Sequence, residues 1–147
     1  MDKQAILDEI NGQLDARLTR LQTELDDLKS GLSANTKSTA GDKHETSRAM
    51  AHNEQERLAV QRDQTIHSKR LTAGIDISQV NTTVAFGSVV KTSMGIFFFS
   101  LGMGKITVNN EDIYCLAANT PMGQALLGKK KGDIANFNGS IEILEIY

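Results

Sequence analysis

The chain has little from which a self-contained catalytic centre could be built. Its 147 residues include one cysteine, one proline, no tryptophan, two tyrosines and five phenylalanines. The lone Cys115 excludes an intrachain disulfide and sits in the apolar run Ile113-Tyr114-Cys115-Leu116-Ala117. There it reads as a small buried residue. A thiol nucleophile would want a nearby histidine and electropositive surroundings, and His44, His52 and His67 all lie in the other half of the chain. No two of these histidines have the i, i+4 spacing of a helical zinc site, so they read as solvated helix residues. Long hydrophobic runs are also missing. Met94 to Met103 is too short and too glycine-broken to span a bilayer, and no apolar segment of the secretory type follows the first basic residue. A cytoplasmic protein without a membrane partner is the expectation. There is no glycine-rich phosphate loop, nucleophile elbow or ordered Ser/His/Asp set. Nor does one sign of charge dominate: 16 basic against 18 acidic residues leave a net charge of −2. That balance gives no global basic footprint for nucleic acid, so such a role would need a local patch or a protein intermediary.

What is present first is helical periodicity. Leu7, Leu14, Leu21 and Leu28 repeat by sevens, and Leu18, Leu25 and Leu32 form the second row of the same heptad, with Asn11 next up that row. The pattern predicts a helix from residue 2 to about 36 carrying a coiled-coil seam. Such a helix would be roughly 50 Å long at about 1.5 Å per residue. Residues 33–41, Ser-Ala-Asn-Thr-Lys-Ser-Thr-Ala-Gly, are small and turn-prone. A second helix is predicted from about Asp42 to Ala73. Its seam is thinner: Ala51, Leu58, Thr65 and Thr72 by sevens, with Val60, Ile66 and Leu71 nearby. Two helices of similar length and a short loop favour an intramolecular antiparallel hairpin, and hence a monomer, over a parallel dimer. A dimerising coiled-coil scaffold has the same periodicity.

Composition changes at Gly74-Ile75-Asp76-Ile77-Ser78. Strands are predicted in the runs Val84 to Val90 and Gly95 to Leu101, then at 105–108, 111–117 and 140–147. Asn109-Asn110 and Asn138-Gly139 supply hairpin chemistry. The last strand breaks its alternation once, between Ile143 and Leu144. One short helix interrupts: Thr120 can cap it, Pro121 suits its first position, and Gly128 ends it. Gly123 inside it should cost about 1 kcal/mol against alanine. The basic turn Lys129-Lys130-Lys131-Gly132-Asp133 leads into another strand. The fold class is therefore α+β: an N-terminal antiparallel helical hairpin, residues 1–75, and a small antiparallel β domain with one short helix, residues 76–147.

Asp42 and Glu45 stand three apart at the predicted start of the second helix. An aspartate cap with glutamate three residues on is a capping-box arrangement, and negative charge there suits the helix dipole. Equally, two carboxylates projecting from an exposed tip could bind a divalent cation. They could not hold Mg²⁺ unaided, since it wants six oxygens, but they could complete a site supplied by another protein. Arg48, Arg57, Arg62, Lys69 and Arg70 dot the second helix, as a solvated face or a weak track for phosphates. Phe97, Phe98 and Phe99 read as core, because a base-stacking platform would need basic neighbours.

Residues 119–133, Asn-Thr-Pro-Met-Gly-Gln-Ala-Leu-Leu-Gly-Lys-Lys-Lys-Gly-Asp, resemble the C-terminal signature of the bacterial GreA/GreB transcript cleavage factors. That signature runs (N/D)-S-P-x-(A/G)-x-A-L-(I/L)-G-K-x-x-G-D and precedes a closing strand, here Gly139 to Tyr147. Gly41-Asp42-Lys43-His44-Glu45-Thr46 is similar to the family's tip, G-D-x-x-E-N, and Glu54-Gln55 also resembles its pattern. The order of parts matches over the whole chain. The resemblance implies an FKBP-like β domain that docks on RNA polymerase at the rim of the secondary channel, with the coiled coil inserted through that channel. Asn119, Thr120 and Pro121 would belong to the docking surface. Asp42 and Glu45 would be the catalytic, metal-side residues, helping to hold a Mg²⁺ shared with the polymerase. The partner would thus be RNA polymerase and, indirectly, the 3′ end of backtracked RNA. No cofactor of the chain's own is implied, and the chain would stimulate the polymerase's nuclease rather than act as an enzyme alone.

Thr46 stands where the family usually has asparagine, and Ala49 where an aromatic residue is common. Related proteins share the fold and docking mode without cleaving, so a non-cleaving channel regulator or inhibitor is the first alternative. The inhibitory type tends to have a denser acidic tip, and the shortened type a shorter coil. An FKBP-type prolyl isomerase is a further alternative, but its aromatic-lined pocket would be poorly supplied by two tyrosines and five phenylalanines.

Overall fold

The computed structural model describes residues 2–35 and 42–147, of which 32–35 and 42–44 by backbone only. The chain is α+β. Helix α1 spans Lys3–Asn35 and α2 spans Asp42–Ala73; six strands and a short helix follow. Two compact units result: Gly12–Arg70, and Met1–Asn11 with Leu71–Tyr147.

In the unit Gly12–Arg70 the two helices pack antiparallel, which the pairing of their side chains establishes. Asp15 is ion-paired with Lys69, while Leu21 and Leu25, further along α1, pack on Leu58, further back along α2. Leu14, Leu21 and Leu25 are buried and Leu18 and Leu28 half-buried, so the heptad seam of α1 faces its partner as its spacing requires. On α2 the buried positions are Leu58 and Thr65, with Ala51 half-buried; Val60 lies outside the seam, 55% exposed. Thr65 is buried without leaving a polar orphan, because its hydroxyl donates to the Gln61 carbonyl at 2.8 Å. Each leucine fully buried here contributes about 1.5–3 kcal/mol. The exposed pairs Arg20–Glu24 and Arg57–Glu54 add little by comparison.

The other unit is built on a mixed six-stranded sheet in the order β3-β4-β2-β1-β6-β5. Its strands are β1 Val89–Thr92, β2 Gly95–Phe99, β3 Gly104–Val108, β4 Glu111–Leu116, β5 Ile134–Asn136 and β6 Ser140–Ile146. All pairings are antiparallel except β2 with β4, which run parallel. The parallel pair arises because β3 forms a hairpin with β4 on the outside, leaving β4 to return alongside β2. Asn109 and Asn110 both adopt positive φ, 52° and 64°, at the β3–β4 turn, as a two-residue hairpin demands. The alternation break in the last strand is a β-bulge. Lys91 is opposite Glu145 and Thr92 opposite Ile143, so Leu144 has no partner across the ladder.

Alternate residues of these strands form two apolar layers. On one face, Val84, Val90, Phe97, Phe99, Ala135, Ile141 and Ile143 surround Leu126 of helix α3, Pro121–Leu126. On the other, Val89, Phe98, Ile106, Ile113 and Cys115 are buried. The three consecutive phenylalanines are thus core, shared between both faces. The first turns of α1 belong to the same unit, with Ile6, Leu7 and Ile10 buried. Asn11, the polar member of the seam, accepts the Thr72 hydroxyl at 3.0 Å.

Candidate functional site

Two stretches were singled out by sequence, and they fall in different compact units. The first is the start of α2. Asp42 is the first residue of that helix, but its side chain lies outside the described residues, as do those of Lys43 and His44 and the whole of residues 36–41. Glu45 sits in the first turn and is exposed. It borders a shallow depression of about 300 Å³ with Arg48, Ala49 and His52. Because α1 and α2 are antiparallel, this end of α2 lies about 20 Å beyond Leu58, at about 1.5 Å per residue. Among the described residues, no three or more His, Cys, Asp or Glu side chains converge as a metal-binding group. The basic residues further along α2 are largely committed to ion pairs: Arg57 with Glu54, Arg62 with Asp63 and Lys69 with Asp15. Its bond to Arg57 holds the Glu54 carboxyl below the usual range.

The second stretch is the turn into α3. Thr120 is the N-cap, in an extended conformation, and Pro121 occupies the first helical position. The Thr120 hydroxyl accepts the Gly123 N–H at 3.0 Å and donates to the Ala117 carbonyl at 2.8 Å. One hydroxyl thereby ties the first turn of α3 to the end of β4. Gln124 reinforces the turn: its side-chain amide donates to the Ala118 carbonyl at 2.6 Å. At the other end Leu127 is the C-cap, and Gly128, at φ +79°, donates its N–H to Val84. Asn119 and Pro121 are left exposed on this braced turn. Asn119, Thr120 and Pro121 thus lie together on one hydrogen-bonded turn.

Gly123 corrects the sequence expectation. It was expected to weaken α3, because alanine is the better helix former. A Cβ at this position would instead lie 2.2 Å from the Ala117 carbonyl oxygen and 2.9 Å from the Thr120 hydroxyl. The turn folds so closely on the helix that a carbonyl occupies the space of a side chain. Only glycine fits, and propensity is overruled by packing.

Cys115 is buried on β4, and burial pushes its thiol up to about 11. A thiol so far from the thiolate state is a core residue. Two features escaped the sequence. Lys3 is almost wholly buried; its signal was its spacing, three and four residues before Ile6 and Leu7 on the same helical face. Arg17 and Arg20 of α1 line a polar groove with Gln61, Gln64 and Ser68 of α2; no sequence pattern marked it.

No family model matches this chain, and neither does any curated protein. Among solved structures, that of the transcription factor Gfh1 aligns over 92% of this chain and 92% of its own, at 18% identity and a TM-score of 0.36. Likeness of that degree carries no argument about fold or function. No helix among the described residues is long and apolar enough to cross a membrane.

Proposed function

We propose that this chain is a Gre-like transcription factor that binds RNA polymerase and stimulates the polymerase's own cleavage of backtracked RNA. In this reading the domain of residues 76–147 is FKBP-like and docks at the rim of the secondary channel, and the helical hairpin enters the channel in the cytoplasm. The observation that carries it is the Ala117–Pro121 turn. The segment that resembles the family's docking signature is a capped, proline-started, glycine-dependent element that presents Asn119 and Pro121 to solvent. It belongs to a chain that also has two long antiparallel helices, with an acidic pair at the start of the second.

Asp42 and Glu45 would offer two carboxylates to an ion whose remaining oxygens the polymerase supplies; two alone are too few for Mg²⁺. A shared magnesium ion of this kind supplies activation of water and steadying of the leaving oxygen. The chain's part is to orient carboxylates from a helix start, and it has no cofactor of its own. Transcript shortening in a stalled, backtracked complex tests the proposal. Wild-type protein should raise cleavage above that of polymerase alone, and no increase would remove the cleavage reading.

A second reading is a channel regulator that binds without cleaving. Two departures from the family's pattern favour it: Thr46 in place of asparagine, and Ala49 in place of an aromatic residue. Polymerase binding without added cleavage would select it. Loss of polymerase affinity on substituting Thr120 or Pro121, with the fold intact, is expected under both readings; unchanged affinity would refute the docking assignment.

A further inference from the structure

Within the unit Gly12–Arg70, helices α1 and α2 form a polar groove of about 390 Å³. Arg17 and Arg20 line one side of it, and Gln61, Gln64, Thr65 and Ser68 the other. The two arginines are three residues apart, so both project from one face of α1, with about 5–6 Å between their Cβ atoms. No carboxylate and no large apolar side chain belongs to the lining.

Charge and hydrogen-bond donors are both left over here. Of the neighbouring ions, Lys69 is paired with Asp15 and Arg62 with Asp63, while Arg57 is bonded to Glu54. Among the described residues, Glu24 is the one carboxylate paired with either groove arginine. It stands 3.9 Å from Arg20, beyond hydrogen-bond reach, and is also drawn to Arg57. An exposed pair of that kind holds weakly. Arg17 has no carboxylate at ion-pair distance among the described residues. Three guanidiniums, Arg17, Arg20 and Arg57, thus meet two carboxylates, Glu24 and Glu54, and one positive charge is unmatched. Across the groove the Thr65 hydroxyl is bonded to the Gln61 carbonyl, while the Gln64 amide and the Ser68 hydroxyl add neutral donors.

We propose that this groove binds a small inorganic polyphosphate, of which diphosphate is the shortest. Each guanidinium fork would take one phosphoryl group, and Gln64 and Ser68 would donate to the remaining oxygens. Such an ion is rich in acceptor oxygens and has no organic body, which suits a groove without carboxylates or apolar walls. This inference does not depend on the transcription reading, since it uses none of Asp42, Glu45 or residues 119–121.

The test titrates the full chain with inorganic diphosphate by calorimetry at low salt, without magnesium, and follows amide shifts at Arg17, Gln64 and Ser68. Diphosphate should bind saturably, with shifts confined to the groove, and orthophosphate more weakly. Arg17→Gln should weaken diphosphate about tenfold, the loss expected for one set of charge-assisted bonds. Glu24→Gln, which frees Arg20, should tighten it several-fold. Both substituted residues are exposed, and unchanged helicity and unfolding midpoints would show that the variants are folded. No saturable binding, equal binding of orthophosphate, or undiminished binding by Arg17→Gln would each overturn the proposal. So would tighter binding of a single-stranded oligonucleotide with the same dependence on Arg17, which would reassign the groove to nucleic acid.

Discussion

Replacing Gly123 with alanine sets two physical effects against each other, and the geometry decides between them. Helix propensity alone favours alanine by about 1 kcal/mol. Against that, the new Cβ would lie 2.2 Å from a backbone oxygen and 2.9 Å from the capping hydroxyl. Neither atom is the far end of a flexible chain, so the turn itself must move. Forcing an extra carbon into a packed site costs about 1–3 kcal/mol, and backbone overlap places this case at the upper end. Losing the Thr120 cap costs about 1 kcal/mol more. The net expectation is destabilisation by about 3 kcal/mol, a fall in Tm of roughly 12–24 °C for a unit under 100 residues. Thermal and denaturant unfolding followed by circular dichroism measures it. Gly12→Ala is the control: Gly12 lies inside α1, with nothing within 4 Å of a Cβ, and should gain about 0.5–1 kcal/mol. A neutral or stabilising Gly123→Ala would refute the argument that packing, rather than propensity, fixes this glycine.

Other expectations follow from the same structure. Thr120→Ala should cost about 1 kcal/mol, while Thr120→Ser, which keeps the hydroxyl that bonds Gly123 and Ala117, should cost much less; equal losses would mean that the methyl, not the cap, matters. Leu58→Ala should destabilise the helical pair by about 2–4 kcal/mol, since Leu58 is 2% exposed against Leu21 and Leu25; a loss under about 0.5 kcal/mol in urea unfolding would contradict the pairing register. Cys115 should resist iodoacetamide in the folded protein and react on unfolding. Because the folded thiol is raised from 9.0 to about 11, the folded state binds its proton more tightly. The stability this contributes is complete below pH 9.0 and is lost as the pH rises towards about 11. A Cys115→Ala variant whose stability falls as steeply over that window would show that another group is responsible.

The parts of this fold that were legible in the sequence are those where one strong local signal had no competitor. Leu7, Leu14, Leu21 and Leu25 of the α1 heptad are buried as read, with Leu18 and Leu28 half-buried, because a seven-residue apolar repeat puts one stripe of the helix against a partner. Thr120, Pro121 and Gly128 take their expected places in α3, because caps and proline act over three or four residues. The α2 seam was legible only at Leu58, Thr65 and Thr72. Val60 and Leu71 are apolar but exposed, since half a seam leaves helix phase to the partner. Parallel pairing of β2 with β4 was not legible, because pairing partners are fixed by crossover topology and not by the strands' own residues. The role of Gly123 was hidden because the clashing carbonyl, Ala117, belongs to another element. Lys3 was marked only by its spacing before Ile6 and Leu7, and its hydrogen-bond partner, the Gln79 carbonyl, lies 76 residues away. Of the two candidate stretches, the Ala117–Pro121 turn has its bracing hydrogen bonds in view, whereas the Asp42 side chain lies outside the described residues.

The central claim is that Asp42 and Glu45 act together in transcript cleavage on the polymerase, and cleavage rate at saturating occupancy measures it most directly. A backtracked elongation complex is titrated with wild type, Asp42→Asn, Glu45→Gln and the double variant until binding is complete, and release of 3′-terminal RNA is timed. The account predicts a large rise in rate with wild type and near-complete loss in each single variant. It also predicts no further loss in the double variant and unchanged polymerase affinity throughout. Cleavage at the wild-type rate by Glu45→Gln and Asp42→Asn, with occupancy equal, would contradict it.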